Sequence, residues 1–143
     1  MTRVTFYLLA ESAPGDRFQL TCRLVERIHA EGLGVYVQVG TDDEARHLDR
    51  LLWTFRQQSF LPHGVQGEAD AELTPILIGR EEIQVRDRPV LINLTNGVPA
   101  GFDRFERLCE VVDHEPERRA AARARYRHYR QLGLSPEHHE IRL

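Results

Sequence analysis

The sequence predicts one three-layer α/β domain with a mostly parallel sheet. Its 143 residues match the usual size of a single domain, so we expect residues 1–143 to form one unit. Short uninterrupted apolar segments, such as residues 35–39 and 90–94, are typical of strands that are buried on both faces. Segments with helical spacing of apolar residues alternate with them, which is typical of parallel sheets with crossover helices on both faces. We expect about four to five strands.

The first half of the chain alternates strands with helices. Residues 3–9 are rich in β-branched, aromatic and aliphatic side chains, which predicts the first strand. Apolar residues then recur at helical spacing over residues 18–28. After a strand at residues 35–39, Thr41 and Glu44 form a capping box, which indicates the start of a second helix.

The second half is less regular. Residues 56–74 lose periodicity and contain proline and glycine, which predicts a long loop. The remaining predicted elements are strands at residues 76–78, 90–94 and 111–112, a short helix that carries Phe102, Phe105 and Leu108, and a closing helix at residues 117–132. Residues 133–143 are polar, and we expect a loosely ordered tail there.

The composition excludes several classes of chemistry. All 19 basic residues are arginines. Walker A phosphate loops, Schiff-base enzymes and pyridoxal-phosphate enzymes need a lysine amine, so their usual forms are excluded. The turn after the first strand holds a single glycine, and Gly32-Leu33-Gly34 precedes a strand instead of following one, so neither is a dinucleotide fingerprint. We therefore expect no nucleotide site and no cofactor.

Candidate catalytic and metal-binding side chains have simpler structural explanations. The acidic residues 42–44 lie in the first turn of a predicted helix, where negative charge complements the helix dipole. Cys109, although followed by Asp113 and His114, opens a buried strand and is expected to be a core cysteine. Cys22 and Cys109 lack metal-type spacing. We expect no metal site and no enzymatic activity.

The sequence favours a cytoplasmic location. No segment approaches the ~20 apolar residues that cross a bilayer, and the N-terminal residues enter a strand pattern directly, without the features of a secretory signal. Two cysteines are too few for a disulfide framework, which agrees with a reducing compartment.

Charge is unevenly distributed along the chain. Residues 116–132 carry six arginines against one acidic residue, a net charge of +5, whereas the remainder carries −8. On a helix, one stripe collects arginines around a tyrosine: Arg119, Arg123, Tyr126, Arg127 and Arg130. Arginines four residues apart repel each other by about a few tenths of a kcal/mol, and an anionic partner would relieve that repulsion. The alternative is an ordinary solvated helix face.

A second candidate surface combines the end of the second helix with the long loop. Trp53, the only Trp of the chain, is followed by Phe60 and Pro62 where regular structure is predicted to end. One interpretation is a flap that packs on the core. The other is an exposed apolar anchor for a protein partner, because aromatic residues dominate the energies of interfaces.

Five segments have an order and spacing that carry a resemblance along nearly the whole chain. They are Thr5-Phe6-Tyr7-Leu8-Leu9, Leu48-Asp49 with Leu52-Trp53, Ser59-Phe60-Leu61-Pro62-His63, Glu110-Val111-Val112-Asp113, and Arg123-Ala124-Arg125-Tyr126-Arg127-His128-Tyr129-Arg130 before Gly133. The first and the last are the most specific. With these segments the chain resembles the chi subunit family of bacterial DNA polymerase III, which is part of the clamp-loader complex.

The resemblance implies a Rossmann-type domain without a nucleotide site and a non-catalytic bridging role in DNA replication. Family members bind the acidic C-terminal tail of single-stranded DNA-binding protein on the closing helix, which implies a tail site at Arg119, Arg123, Tyr126 and Arg127. They bind the psi subunit of the clamp loader on a separate apolar surface, which a helicase partner shares and which here corresponds to Trp53, Phe60 and Pro62. No direct contact with DNA is implied.

This sequence departs from the family pattern in two ways. It has only arginine where other members mix lysine and arginine. The stretch from Asp113 to Arg123 is about one helical turn shorter than in the best-known members, which affects Arg119 in particular.

Direct binding of single-stranded nucleic acid is the alternative function. Arginines with an interleaved tyrosine also suit phosphates and stacked bases. The charge of −8 on the rest of the chain argues against it, because most of the surface would repel a polyanion. A small nucleotide-dependent enzyme is a third hypothesis, and the missing phosphate loops disfavour it.

Overall fold

A single parallel sheet forms the centre of the protein. The computed structural model describes residues 1–11, 14–55, 61–68, 74–83 and 88–142. In chain order its elements are β1 (Arg3–Leu9), α1 (Arg17–Ala30), β2 (Val35–Gln38), α2 (Asp42–Thr54), β3 (His63–Val65), β4 (Ile76–Gly79), β5 (Val90–Asn93), a 3-10 turn (Phe102–Arg104), β6 (Arg107–Val112), α3 (Pro116–Gln131) and β7 (Glu137–Ile141). The seven strands of the described chain lie in the order β3-β4-β2-β5-β6-β1-β7, and every neighbouring pair is parallel.

Helices cover both faces of this sheet. α1 and α2 pack on one face through residues such as Leu20, Val25 and Leu48, which are buried among the inward side chains of the strands. α3 and the 3-10 turn cover the other face, where Ala122 and Tyr129 pack on β1 and β6. Because each strand contributes alternate side chains to the two faces, the apolar segments seen in the sequence fill both cores. The predicted three-layer α/β architecture is confirmed.

Side chains that accept hydrogen bonds from the first turn fix the start of each helix. Asp16 caps α1 in a reciprocal capping box with Gln19. Thr41 accepts from the Glu44 N–H at the start of α2, as the sequence predicted. Glu115 caps α3 by accepting two N–H groups. These contacts satisfy donors that have no partner within the helix.

Two strands lie where the sequence predicted none. The predicted long loop at residues 56–74 contains the three-residue strand β3, while residues 56–60 and 69–73 lie outside the described residues. The expectation of a loosely ordered tail at residues 133–143 is wrong for β7, which pairs with β1. All but the last residue of β7 are exposed, so this edge strand lacks the alternation of apolar and polar residues that identifies strands in a sequence.

The predicted short helix is also smaller than expected. Only Phe102–Arg104 form a helical turn, whereas Phe105 is extended and Leu108 lies within β6. Both phenylalanines are nevertheless buried. A spacing of three residues between buried phenylalanines is compatible with a helix and also with a 3-10 turn that is followed by a strand. The sequence alone does not distinguish these two structures.

A buried polar cluster connects α3 to the sheet. Glu110 of β6 is fully buried, and its carboxylate accepts hydrogen bonds from Tyr129 Oη at 2.6 Å and Asn93 Nδ2 at 3.0 Å. Arg125 of α3 lies 3.1 Å from the same carboxylate and also donates to the carbonyl of Asn96. Burial raises the pKa of Glu110, and the neighbouring Arg125 opposes this shift. The cluster fixes which side of α3 faces the sheet.

We expect Glu110→Ala to lower the free energy of unfolding by about 3–5 kcal/mol, because it leaves the Arg125 charge buried without its partner. Chemical denaturation measures this change. The double variant Glu110→Leu with Arg125→Met is the matched control, since it removes both charges and should lose much less. A single variant as stable as the parent protein would contradict this role.

Candidate functional site

The arginines of α3 divide into two groups, and the first group holds the helix in place. Arg118 makes two hydrogen bonds of 2.9 Å to the carboxylate of Asp113, which follows β6. Burial of Asp113 opposes its ionisation, but the bonds from Arg118 and from the Glu115 N–H outweigh this effect, so the pKa of Asp113 lies below its usual range. Arg125 is held by the Glu110 cluster.

Arg119 belongs to the same anchoring group. Its Nε donates to the carbonyl of Asp113 at 2.9 Å, and its second terminal nitrogen donates to the carbonyl of Leu9 at 3.1 Å. These carbonyls lie at the carboxyl ends of β6 and β1. Arg119, which the sequence assigned to the tail site, therefore also ties the start of α3 to two strands.

The second group of arginines points to solvent. Arg123, Arg127 and Arg130 are exposed, and among the residues that the structure describes none of them has a hydrogen-bond or ion-pair partner. Tyr126 lies between them and is half-buried, with its ring centroid 5.6 Å from that of Phe6 in β1. On this side of α3, guanidinium groups without a partner among the described residues thus flank the ring of Tyr126, which packs on Phe6 of β1. This combination can bind a carboxylate beside an apolar group.

We refer to the surface of Trp53, Pro62 and His63 as the Trp53 surface. Trp53 is 57% exposed near the end of α2, and its ring lies 4.7 Å from the ring of His63. His63 is itself held by the carbonyls of Leu61 and Asp49, at 2.6 and 3.0 Å. Pro62 is half-buried beside it. Phe60, the third residue assigned to this surface from the sequence, lies outside the described residues.

An arginine side chain crosses the crevice at the carboxyl ends of the central strands. In open α/β sheets, ligands bind where the connections of neighbouring strands diverge, which here is between β2 and β5. Arg17, at the start of α1, donates to the carbonyl of Leu94 after β5 at 2.6 Å and pairs with Glu44 in the first turn of α2. The guanidinium therefore crosses the crevice and connects both helices to the sheet.

Other candidate chemical groups are structural. Cys109 is buried in the core, and burial raises the pKa of its thiol to about 11, so the reactive thiolate is disfavoured. Within the described ranges, no three His, Cys, Asp or Glu residues are grouped as a metal would require. The helices described are all too short or too polar to cross a membrane.

Comparison with known proteins identifies the family. A family model described as "DNA polymerase III chi subunit, HolC" matches residues 1–137. The chain belongs to the chi subunit family of DNA polymerase III. This confirms the resemblance that the sequence motifs indicated. It also supports an accessory, non-catalytic role in DNA replication, since the chi subunit does not carry the polymerase activity.

Curated relatives named DNA polymerase III subunit chi match along the chain. The protein of Pseudomonas aeruginosa is 38% identical over 141 residues, which cover 99% of this chain and 98% of the relative. The proteins of Haemophilus influenzae and Escherichia coli are 30% and 28% identical, over 90% and 94% of this chain and 90% and 95% of their own lengths.

Sequence reasoning missed the inward role of one arginine in this chi-family chain. Arg125 lies three residues after Ala122 and four before Tyr129, so it falls on the buried side of the helix. That spacing was a usable signal, and a buried cation needs a buried anion such as Glu110. Arg130 lies on the same stripe as Arg119, Arg123 and Tyr126 and is unpaired among the described residues, although it was not assigned to the tail site.

The lowered pKa of Asp113 predicts a pH-dependent contribution to stability. A carboxyl whose pKa is lower in the folded state stabilises the fold above its unfolded pKa, near 4, and loses this contribution as the pH falls through the folded value. Asp113→Asn should therefore cost about 1–2 kcal/mol at neutral pH and progressively less below about pH 4. Denaturation curves at several pH values measure this. Asp103→Asn, in the exposed 3-10 turn, is the control. The difference in stability between this variant and the parent protein should not depend on pH in this way.

Proposed function

We propose that this chi-family protein is a non-catalytic bridge of the replicative polymerase. In this proposal α3 binds the acidic C-terminal tail of single-stranded DNA-binding protein, and the Trp53 surface binds the psi subunit of the clamp loader or a helicase partner. The proposed tail residues are Arg119, Arg123, Tyr126 and Arg127. Trp53 and Pro62, together with Phe60, form the second interface.

The observation that carries the tail site is the unpaired state of Arg123 and Arg127. They lie one helical turn apart, and their guanidinium groups have no acidic partner among the described residues. Planar guanidinium groups bind carboxylates through two parallel hydrogen bonds. Tyr126 offers an apolar edge between them for a terminal aromatic residue. An acidic peptide with a C-terminal phenylalanine matches both features.

Arg119 plays a double role in the proposal. Its Nε and one terminal nitrogen hold the start of α3, and the other terminal nitrogen makes no hydrogen bond within the described chain. It extends the positive surface while it positions the helix. Its loss should therefore reduce stability as well as tail affinity, unlike the loss of Arg123.

Binding of single-stranded nucleic acid remains the second candidate, because unpaired arginines also attract phosphates. Base stacking, however, needs the open face of an aromatic ring. Tyr126 is half-buried against Phe6 and packs on the core cluster beneath α3. This packing favours a peptide side chain that enters beside the ring over a base stacked on it.

We expect Arg123→Ala to weaken binding of an acidic peptide that ends in phenylalanine by about 1.5–3 kcal/mol, the range for hydrogen bonds to charged groups. Isothermal titration calorimetry measures the affinity. Arg27→Ala removes an exposed arginine from α1, on the opposite face of the sheet, and should leave binding unchanged.

Amidation of the peptide should weaken binding because it removes the terminal carboxylate, and removal of the terminal phenylalanine should weaken it because the apolar contact with Tyr126 is lost. Added salt should also weaken binding, because exposed charges are screened over about 8–10 Å at physiological ionic strength. An oligonucleotide that binds more tightly than the peptide would instead support the nucleic-acid function. Equal peptide affinity for the parent and Arg123→Ala would place the tail elsewhere.

Trp53→Ala should abolish binding of the psi or helicase partner and leave peptide binding intact. The side chain is more than half exposed, so the variant should lose only a small part of its stability. The adjacent Leu52 is 2% exposed, and Leu52→Ala should cost about 2–5 kcal/mol. Pull-down and thermal denaturation of both variants separate the two effects. A large loss of stability in Trp53→Ala with partner binding intact would indicate a core flap.

A further inference from the structure

The sheet face beside α3 is open where β1 meets β7. Leu8 of β1 is only half-buried, although it packs on the core cluster beneath α3. The first four residues of β7 are exposed. We call this strip the β1–β7 shelf, and it comprises Leu8, His138 and Glu140, with the buried Phe6 next to Leu8 on the same face of the sheet.

Strand register determines which side chains of β7 lie on the shelf. His138 pairs with Phe6 and Glu140 pairs with Leu8, so both lie on the face that α3 covers. Their neighbours lie on the opposite face, which α1 covers. His139 pairs with Tyr7, and the two rings are 6.0 Å apart. Two adjacent histidines and two glutamates are thus divided between opposite faces of one strand.

The exposed stripe of α3 forms a wall along this shelf. Tyr126 contacts Phe6 and Arg119 contacts the carbonyl of Leu9, so the flank of the helix that bears them faces β1, and β7 is the next strand beyond β1. Arg123 and Arg130 lie on the same flank, at helical spacing from Tyr126. An extended acidic peptide bound to these arginines would lie over Leu8, with β7 along its other side.

We propose that the β1–β7 shelf is the floor of the tail site, with His138 as an additional cationic contact and Glu140 as an opposing charge. The inference rests on the proposed tail-binding function and adds the residues that make the site selective. The occupant is an acidic peptide with a free C-terminal carboxylate, because Arg123 and Arg130 of the wall have no hydrogen-bond or ion-pair partner among the described residues, and Leu8 and Tyr126 provide the adjacent apolar surface.

The charges around His138 determine how this contact responds to pH. Glu140 lies on the same face of its own strand; the flank of α3 beside β1 carries the cations Arg119, Arg123 and Arg130 and the neutral Tyr126; and β1 contributes the uncharged Phe6 and Leu8. An imidazole gains positive charge as the pH falls from about 8 to about 6. A bound acidic peptide interacts more favourably with a charged imidazole than with a neutral one. Peptide binding should therefore strengthen as the pH falls.

The two faces of β7 provide matched variants for the test. Calorimetric titration of the full chain with an acidic peptide ending in phenylalanine is performed at low ionic strength, at about pH 6 and about pH 8. The parent protein should bind about two- to fivefold more tightly at the lower pH, the range for an exposed ion pair. His138→Gln should lose this difference, and His139→Gln should retain it.

A second pair of variants tests the shelf independently of pH. Glu140→Gln should tighten peptide binding by about two- to fivefold, because it removes a negative charge beneath an acidic ligand. Glu137→Gln removes the same charge from the opposite face and should leave the affinity unchanged. All four positions are exposed on an edge strand, so the variants should fold like the parent.

The outcomes separate this inference from the proposed function. If Arg123→Ala weakens binding but the two histidine variants behave alike and the two glutamate variants behave alike, the tail site stands and the shelf is not its floor. If the parent protein does not bind the peptide at either pH, both the proposed function and the inference are overturned.

Discussion

The buried carboxylate of Glu110 determines which arginines of α3 are available to a partner. A fully buried anion needs a cation and hydrogen-bond donors, and α3 supplies Arg125 and Tyr129. Because successive residues on a helix are 100° apart, holding Arg125 inward turns Arg123 and Arg127 outward. A buried ion pair contributes little net stability compared with apolar residues of similar size. Its effect here is one of orientation, since α3 cannot rotate on the sheet without exposing Tyr129 or leaving Glu110 without its partners.

A second set of contacts fixes the beginning of the same helix. Arg118 binds the Asp113 carboxylate and Arg119 binds carbonyls at the ends of β1 and β6, so α3 is held at its first turn as well as at its middle. On the other face, Arg17 connects α1, α2 and β5 across the crevice in which sheets of this type bind ligands. Arginine side chains thus hold helices to the sheet at these three places, in a chain that contains no lysine. The proposed binding surfaces lie instead on the flank of α3 and at the end of α2.

Sequence periodicity was sufficient for the elements that bury a face, and insufficient for those that do not. The apolar segments at β2 and β5 and the helical spacing in α1 and α2 identified the α/β class, because burial imposes these patterns. β7 has no such pattern, since almost all of it is exposed and its pairing depends on backbone hydrogen bonds to β1.

In α3 the sequence placed the basic stripe correctly, but it could not show that Arg119 bonds to distant carbonyls, because those partners come from strands remote in the chain. The exposure of Trp53 was likewise undetermined, since an aromatic residue suits a core flap and an interface equally well.

The sheet keeps the two candidate surfaces apart. β3, beside the Trp53 surface, and β7, beside the tail site, are the opposite edges of the seven-stranded sheet, so six strand spacings of about 4.8 Å separate them by roughly 29 Å. The helices that carry them, α2 and α3, also lie on opposite faces. This separation exceeds the screening length of about 8 Å at physiological ionic strength, so charge on one ligand has little effect on the other. Since the two proposed sites are far apart and share no residue, their binding energies should add without coupling. A domain with two separate surfaces can hold two partners at once, as the proposed bridge between the clamp loader and single-stranded DNA-binding protein requires.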